Sequence, residues 1–475
     1  MESGDHRFFN RQPSAERPIK VCHLASSAWG CRWMVEQLCG LRDDYGYEVT
    51  AIISQEPGPL SEHLRTNAIP IYEWDFRILD PRSLLTLPLR TLRLARLLRR
   101  ERFDVVQSHL WLSMVVGRIA AWLADVPVRV SMIPHPIHLE APASRWIDQA
   151  TCWMESMLIA SCELTRTLYR ELGVEEDRLA LIYYGPDASR FDPHHIEPVD
   201  LRPEYGWGPE TRLIGNVAYF YWRGPGTRWN PPTFRVGGFK GQEDIIRAAP
   251  AVLREAPEAR FLLIGSGAGA EGERFFESMQ ALVRELGLEE QVVFPGYRAD
   301  SPGIIRTLEV SVQAALSENL GGTVESLLLE RPMVATRVGG MVDSVRPGET
   351  GVLVEPNDPA SLAEGILTLL RDPAEAKRLG QAGRALMLER FTLERTIADL
   401  DAVYRRALWR GGVRQRGYRP WVSLGRFLRF LPVALYLLIR LCAVDTLLLP
   451  FLDRLVSRGI PGMNSMPAEG SRVEV

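Results

Sequence analysis

Residues 317–356 read SENLGGTVESLLLERPMVATRVGGMVDSVRPGETGVLVEP. An apolar run, LEVSVQAAL (308–316), precedes them, so a strand is expected to end at Leu316. Glu318, the pair Gly321 and Gly322, and a helix opening near Thr323 follow. Free backbone N–H groups at a helix start, reached through glycines, bind phosphate. Glu325 falls in the first turn of that helix, where a carboxylate can accept two hydroxyls, such as those of a ribose. Two carboxylates beside a phosphate cradle suit a nucleotide-sugar. They would repel a bare polyphosphate unless each had hydroxyls to bind. The plainer alternative is a solvated loop with an acidic helix cap.

Outward from this stretch, strands and helices alternate. IKVCHLA (19–25), EVTAIIS (48–54), DVVQSHLW (104–111), VRVSMI (128–133) and LALIYYG (179–185) read as strands, with helical segments such as CRWMVEQLCGLRDDYG and MVVGRIAAWLADV between them. A linker rich in Pro, Asp and His is expected over 187–212. A second series follows, with strands at TRLIGNVAY (211–219), RFLLIGSG (260–267), QVVFPGY (291–297) and MVATRVGG (333–340). This order predicts an α/β protein with two parallel-sheet units. The last long helix, ERTIADLDAVYRRALWR, carries Ile397, Leu400, Val403, Tyr404 and Leu408 on one face. The expected divisions are a polar terminus (1–17), an N-terminal unit (18–200), a C-terminal unit (201–388), a crossover helix (389–410) and a tail (411–475). GSGAG (265–269) lacks the G-x-G-x-x-G order of a dinucleotide fingerprint.

The central stretch resembles family 4 of the retaining glycosyltransferases, the group 1 enzymes of the GT-B fold. RPMVATRVGG (331–340) and GETGVLVEP (348–356) match its later motifs, and Glu325 stands at the family's spacing before Pro332. The resemblance implies two Rossmann-like domains facing a cleft, a nucleoside-diphosphate sugar as co-substrate, and no metal or other cofactor. It makes Glu325 the ribose ligand and Glu318 the carboxylate near the reacting sugar carbon. Six residues separate the two glutamates, one fewer than in the family. Gly321, Gly322 and Thr323 become diphosphate contacts. Lys240, in GGFKGQEDII, matches the family's lysine against the diphosphate. Its arginine partner is Arg235, five residues earlier, or Arg223; directly after the strand, where the family has that arginine, this chain has Tyr219. Gly30 is what remains of the family's Gly-Gly loop. His138 and His135, in MIPHPIHLE, are candidates for the histidine that touches the donor sugar, with His138 slightly favoured and His109 a weaker third. Tyr297 and Arg298, after VVFPG, fall where the family contacts the base.

Composition bounds the rest. With 475 residues and 46% hydrophobic content, the chain can bury two or three domain cores. A net charge of -3 argues against a nucleic-acid binder. The six cysteines show neither C-x-x-C nor zinc spacing, so buried thiols in a reducing compartment are expected. No secretory signal is apparent at the N-terminus. Residues 411–475 begin Arg-rich and then turn apolar (FLPVALYLLIRLCAVDTLLLPFL, 430–452), interrupted by Arg440 and Asp445. An interfacial or re-entrant helix suits that run better than a clean span; a helix packed on the protein's own surface is the alternative. Arg90, Arg93, Arg96 and Arg100 recur at helical spacing in a second basic stripe. The expectation is a cytoplasmic enzyme held peripherally on the inner face of an anionic membrane, acting on a lipid-linked or saccharide acceptor in polysaccharide or glycoconjugate synthesis. Two rivals stand beside it: a nucleotide-sugar 2-epimerase on the same fold, and a nucleotide-sugar-binding scaffold without activity.

Overall fold

The computed structural model describes residues 17–78, 81–223, 230–231, 233–234 and 237–414. In the N-terminal half the elements are β1 (Lys20–Ala25), α1 (Arg32–Tyr45), β2 (Glu48–Ser54), α2 (Pro59–Thr66), β3 (Ile71–Trp74), α3 (Pro81–Glu101), β4 (Val105–His109) and α4 (Trp111–Ala124). They continue with β5 (Val128–Ile133), α5 (Ile137–Glu140), α6 (Pro142–Thr151), β6 (Met157–Ala160), α7 (Glu163–Glu171) and β7 (Leu179–Leu181). The seven strands form one parallel sheet in the order β3-β2-β1-β4-β5-β6-β7. Strands such as EVTAIIS are buried on both faces because helices cover both sides.

The C-terminal half begins with β8 (Arg212–Val217), the two-residue strands β9 (Trp222–Arg223) and β10 (Gly237–Gly238), α8 (Gln242–Glu255), β11 (Ala259–Ile264), α9 (Gly269–Glu285) and β12 (Val292–Gly296). It continues with α10 (Ser301–Ile305), β13 (Val310–Gln313), α11 (Thr323–Leu328), β14 (Met333–Thr336), α12 (Met341–Ser344), β15 (Val352–Val354), α13 (Pro359–Arg371) and α14 (Pro373–Arg390). Its sheet is also parallel, in the order β12-β11-β8-β13-β14-β15. In each sheet the winding reverses beside its first strand, between β1 and β4 and between β8 and β13. Ligands bind outside the carboxyl ends of strands at such switch points. Two switch points facing one cleft define where the site must lie.

The chain crosses the cleft twice. The first crossing comes earlier than the expected boundary at residue 200. Phe191 and Leu201 are already buried in the core of the second half, the Val199 N–H donates to Gly303 O (3.0 Å), and Arg306 donates to Ile196 O. The second crossing is α15 (Leu393–Arg414), which lays Ile397, Leu400, Val403 and Tyr404 into the core of the N-terminal half. The Thr396 hydroxyl donates to Tyr183 O (2.7 Å) and accepts from the Gly185 N–H (3.0 Å), pinning the two crossings together. The helix runs to Arg414, past the expected end at 410. The tail from 415 onward, including the apolar run, lies outside the described residues. Among the described residues no helix is long and apolar enough to cross a membrane.

Arg90 is not on the open face of α3: its guanidinium donates to Asp75 O, Arg77 O and Ser83 O at 2.5, 2.8 and 2.6 Å and pairs with the Asp75 carboxylate at 3.1 Å. The carbonyls of the segment before α3 recruit it. Arg93, Arg96 and Arg100 remain exposed, in line with exposed Leu85 and Leu89.

A buried polar chain joins α15 to the cleft. His23 Nε2 lies 3.0 Å from Tyr404 Oη, and His109 Nε2 lies 3.2 Å from His23 Nδ1. His109 Nδ1 lies 3.0 Å from Tyr184 Oη. Tyr404 also donates to Gln107 Oε1 (2.7 Å). Burial pushes His23 down to about 3 and His109 well below the ordinary histidine range. Both are therefore neutral when folded, whereas the unfolded chain takes up their protons below about pH 6.5. Stability of the N-terminal half is expected to be full above that pH and to fall as pH drops, by up to about 1.4 kcal/mol per pH unit for each histidine. Chemical denaturation at pH 7.5, 6 and 5 measures this. His23→Gln should remove one proton from the slope, and an unchanged slope would show that His23 is already charged in the fold.

Candidate active site

The loop between β13 and α11 carries both glutamates, and its shape is set by glycines. Gly321 is left-handed (φ +55°) and packs on the Glu318 side chain. Gly339 is also left-handed (φ +53°), and a Cβ there would stand 1.5 Å from Glu318 O. The stretch Val338, Gly339 and Gly340 therefore lets the Glu318 backbone lie directly against residue 339, while the Gly340 N–H donates to Glu318 O (3.3 Å).

Glu318 is buried and forms an ion pair with Lys240 Nζ. It accepts from the Asn319 N–H (3.0 Å) and faces His135 Nε2 at 3.6 Å. Burial pushes its carboxyl up, but Lys240 first and His135 second outweigh that push, and the net is downward. Glu318 therefore stays ionised. His135 Nδ1 accepts the Ile137 N–H (3.1 Å), which leaves Nε2 to carry the proton toward Glu318 in the neutral ring. Lys240 sits between β10 and α8, with its ammonium 5.1 Å from the Phe239 ring centroid. Glu325 contrasts with Glu318. Burial, reinforced by the Glu318 charge, raises its carboxyl above the ordinary range, while Arg190 and Lys240 oppose the rise. Its Oε2 is buried without a hydrogen-bond partner. A buried, unpaired carboxylate oxygen is costly unless a ligand satisfies it.

His138 does not reach Glu318. Its ring is buried, burial lowers its pKa, and the charges acting on it are those of Asp148 and Arg118 in the interior of the N-terminal half. The two histidines lie three residues apart at the short helix α5, and only His135 is aimed across the cleft. Thr323 is fully buried; its hydroxyl donates to Leu320 O (2.5 Å) and pairs with Ser344 Oγ (2.9 Å), so its side chain shapes the loop and is not offered to a ligand. Arg298 is held by Asp300 (2.7 Å) and Glu204 (3.3 Å). Tyr297 is exposed, with its ring 6.2 Å from that of Tyr219 and 18° from parallel. Gly30 is left-handed (φ +65°) in the exposed turn before α1. His109 is committed to the buried chain behind Tyr184. Arg235 and the side chain of Arg223 lie outside the described residues.

A cavity of about 390 Å³ opens between the halves. Glu318 to Gly321, Val324 and Glu325 form one wall; Arg32, Trp33, Glu36, Tyr184 and Arg190 form much of the other. This second wall is not among the residues that the sequence motifs single out. Its one visible signal was the spacing of Arg32 and Glu36, one helical turn apart. Among the described residues no group of three or more His, Cys, Asp and Glu side chains is placed to hold a metal ion.

Two parallel doubly wound halves around such a cleft define a GT-B protein. Residues 235–386 match the family model for glycosyl transferases group 1, and residues 30–185 match that for a glycosyl transferase 4-like domain. The D-inositol 3-phosphate glycosyltransferase of Acidothermus cellulolyticus is 31% identical over 333 residues, covering 64% of this chain and 68% of that one. The 2-deoxystreptamine glucosyltransferase of Streptomyces kanamyceticus is 26% identical over 342 residues, covering 66% of this chain and 80% of its own. Among solved structures, Anabaena Alr3699/HepE in complex with UDP and glucose superposes with a TM-score of 0.66 at 20% identity, over 82% of this chain and 100% of that one. The chain belongs to the group 1 glycosyltransferases, family 4.

Proposed function

We propose that this glycosyltransferase moves a sugar from a nucleoside-diphosphate donor, with retention of anomeric configuration and without a metal, to a lipid-linked acceptor at the cytoplasmic face of a membrane. The observation that carries the donor reading is the pairing of an ionised, Lys240-bound Glu318 with a Glu325 whose buried Oε2 lacks a partner. Ribose hydroxyls supply the donors that Glu325 lacks. The Gly321 and Gly322 amides and Lys240 take the diphosphate, and Arg235 is the candidate for a second cation there. Charge grows on that leaving group as the bond to the sugar breaks, so cations held in place favour the transition state. Glu318 and His135 position the sugar, and Tyr297 with Tyr219 offers the base an aromatic face. The lipid acceptor is supported by the Arg-rich and then apolar sequence of 411–475, and by the exposed Leu85, Leu89, Arg93, Arg96 and Arg100 of α3.

Glu325→Ala is expected to weaken donor binding by roughly 1.5–3 kcal/mol, the cost of losing a charged acceptor. Calorimetric titration of UDP-, GDP- and ADP-sugars into the wild type and the variant measures it and identifies the base. Unchanged affinity would remove Glu325 from the donor site. Release of nucleoside diphosphate that depends on an added acceptor distinguishes transfer from 2-epimerisation, which proceeds without one, and from a scaffold that turns nothing over.

A further inference from the structure

The wall of the cavity formed by Arg32 of α1 and Arg190 of the hinge segment is cationic. On the donor-loop side, Lys240 supplies one positive charge and Glu318 and Glu325 supply two carboxylates, so that side is not net positive. A diphosphate entering there meets a lysine already engaged by Glu318. Across the cavity, Arg32 Nε donates to Glu36 Oε1 at 2.7 Å. Arg190, from the hinge segment, reaches the same oxygen through Nη1 at 3.4 Å. Among the described residues that long contact is the only hydrogen bond of the Arg190 guanidinium; its carbon also lies 5.5 Å from the Phe191 ring centroid. Two guanidiniums thus share one carboxylate, and one positive charge is left over on a wall that faces Gly321 and Glu325. The field of Arg190 already acts on Glu325, opposing the upward push of burial on that carboxyl. The first turn of α1, which carries Arg32, has neither an acidic residue nor a side-chain cap.

We propose that Arg190, from the hinge segment, and Arg32, from the N-terminal half, grip the phosphate groups of the bound nucleotide, with Glu36 occupying them until the phosphates arrive. The proposal rests on the nucleotide-sugar reading above. A guanidinium fork matches phosphate oxygens two at a time, which an ammonium does not.

The test is equilibrium titration with UDP, GDP and ADP, followed by the nucleoside matching whichever binds the wild type most tightly. Arg190→Ala should weaken the diphosphate about tenfold and leave the nucleoside within about twofold. Arg190→Lys should recover only part of the loss, and Arg32→Ala should act in the same direction. Glu36→Gln frees both guanidiniums and should tighten diphosphate binding several-fold, a gain that a merely structural ion pair would not give. The proposal is overturned if Arg190→Ala, Arg32→Ala and Glu36→Gln all leave diphosphate affinity within about twofold of the wild type. It is also overturned if only the KM for a phosphate-bearing acceptor responds, since the pair would then serve the acceptor. Failure of every nucleotide to bind the wild type would sink the donor reading, and this proposal with it.

Discussion

Lys240→Ala is expected to lower kcat about 100-fold while raising the donor KM by much less. In the free protein Lys240 is paired with Glu318. Binding the ground-state diphosphate therefore exchanges one carboxylate partner for phosphate oxygens, with little net gain. As the sugar–phosphate bond breaks, negative charge accumulates on the departing diphosphate, and the ammonium interacts more strongly there than in the ground state. The variant should also show an altered pH profile. Burial alone pushes the Glu318 carboxyl up, and Lys240 is the chief group holding it down. Without the lysine, Glu318 takes up its proton at a higher pH, so residual activity should disappear at a higher pH as the solution is acidified. Steady-state rates across pH 5 to 8 measure both effects. A variant with near-normal kcat would place Lys240 outside the chemistry.

Arg118→Ala should cost the N-terminal half about 3–5 kcal/mol, the usual result of leaving buried charges without their partner. Arg118 projects from the apolar helix α4, and its side chain is fully buried. Its Nε donates to Glu155 Oε1 (3.0 Å), and its Nη1 donates to Asp148 Oδ1 (2.9 Å) and Thr151 Oγ1 (2.8 Å). Removing the guanidinium strands two carboxylates that already have one unpaired oxygen each, Asp148 Oδ2 and Glu155 Oε2. The corresponding fall in Tm is on the order of 10 °C. Arg118→Lys keeps the charge but cannot bridge Asp148, Glu155 and Thr151, so it should fall between. Calorimetry of all three proteins decides the matter; a loss below about 1 kcal/mol for the alanine variant would show that water reaches the cluster.

The two halves and the donor loop were legible in the sequence because they depend on local rules. EVTAIIS and VRVSMI are strands over the whole of the stretches read from the sequence, since burial on both faces of a parallel sheet leaves a continuous apolar run. Glu318, Gly321, Glu325 and the V-G-G that follows lie close together in the sequence, and the Glu318 backbone packs against Gly339. LALIYYG is less regular: only Leu179–Leu181 pairs, because the chain leaves the sheet there for the hinge. The crossover helix was readable from its apolar face, but its buried partners, His23 and Gln107 on β1 and β4, were not.

The order of elements, the α/β class and the residues that share a continuous loop are all written in the local chain. Those follow from periodicity and spacing, which are properties of neighbours along the chain. Tertiary structure alone decided which of two histidines three residues apart faces Glu318, because a turn of α5 sends His138 inward and leaves His135 at the cleft. It also decided that Arg90 is bound by carbonyls while Arg93 stays open, and that Arg118 is the charged centre of an apolar core. Above all it brought Arg190 to Glu36, residues 154 positions apart, on the wall opposite the donor loop. No local pattern encodes that meeting, because it exists only once both halves have folded and the hinge has laid one against the other.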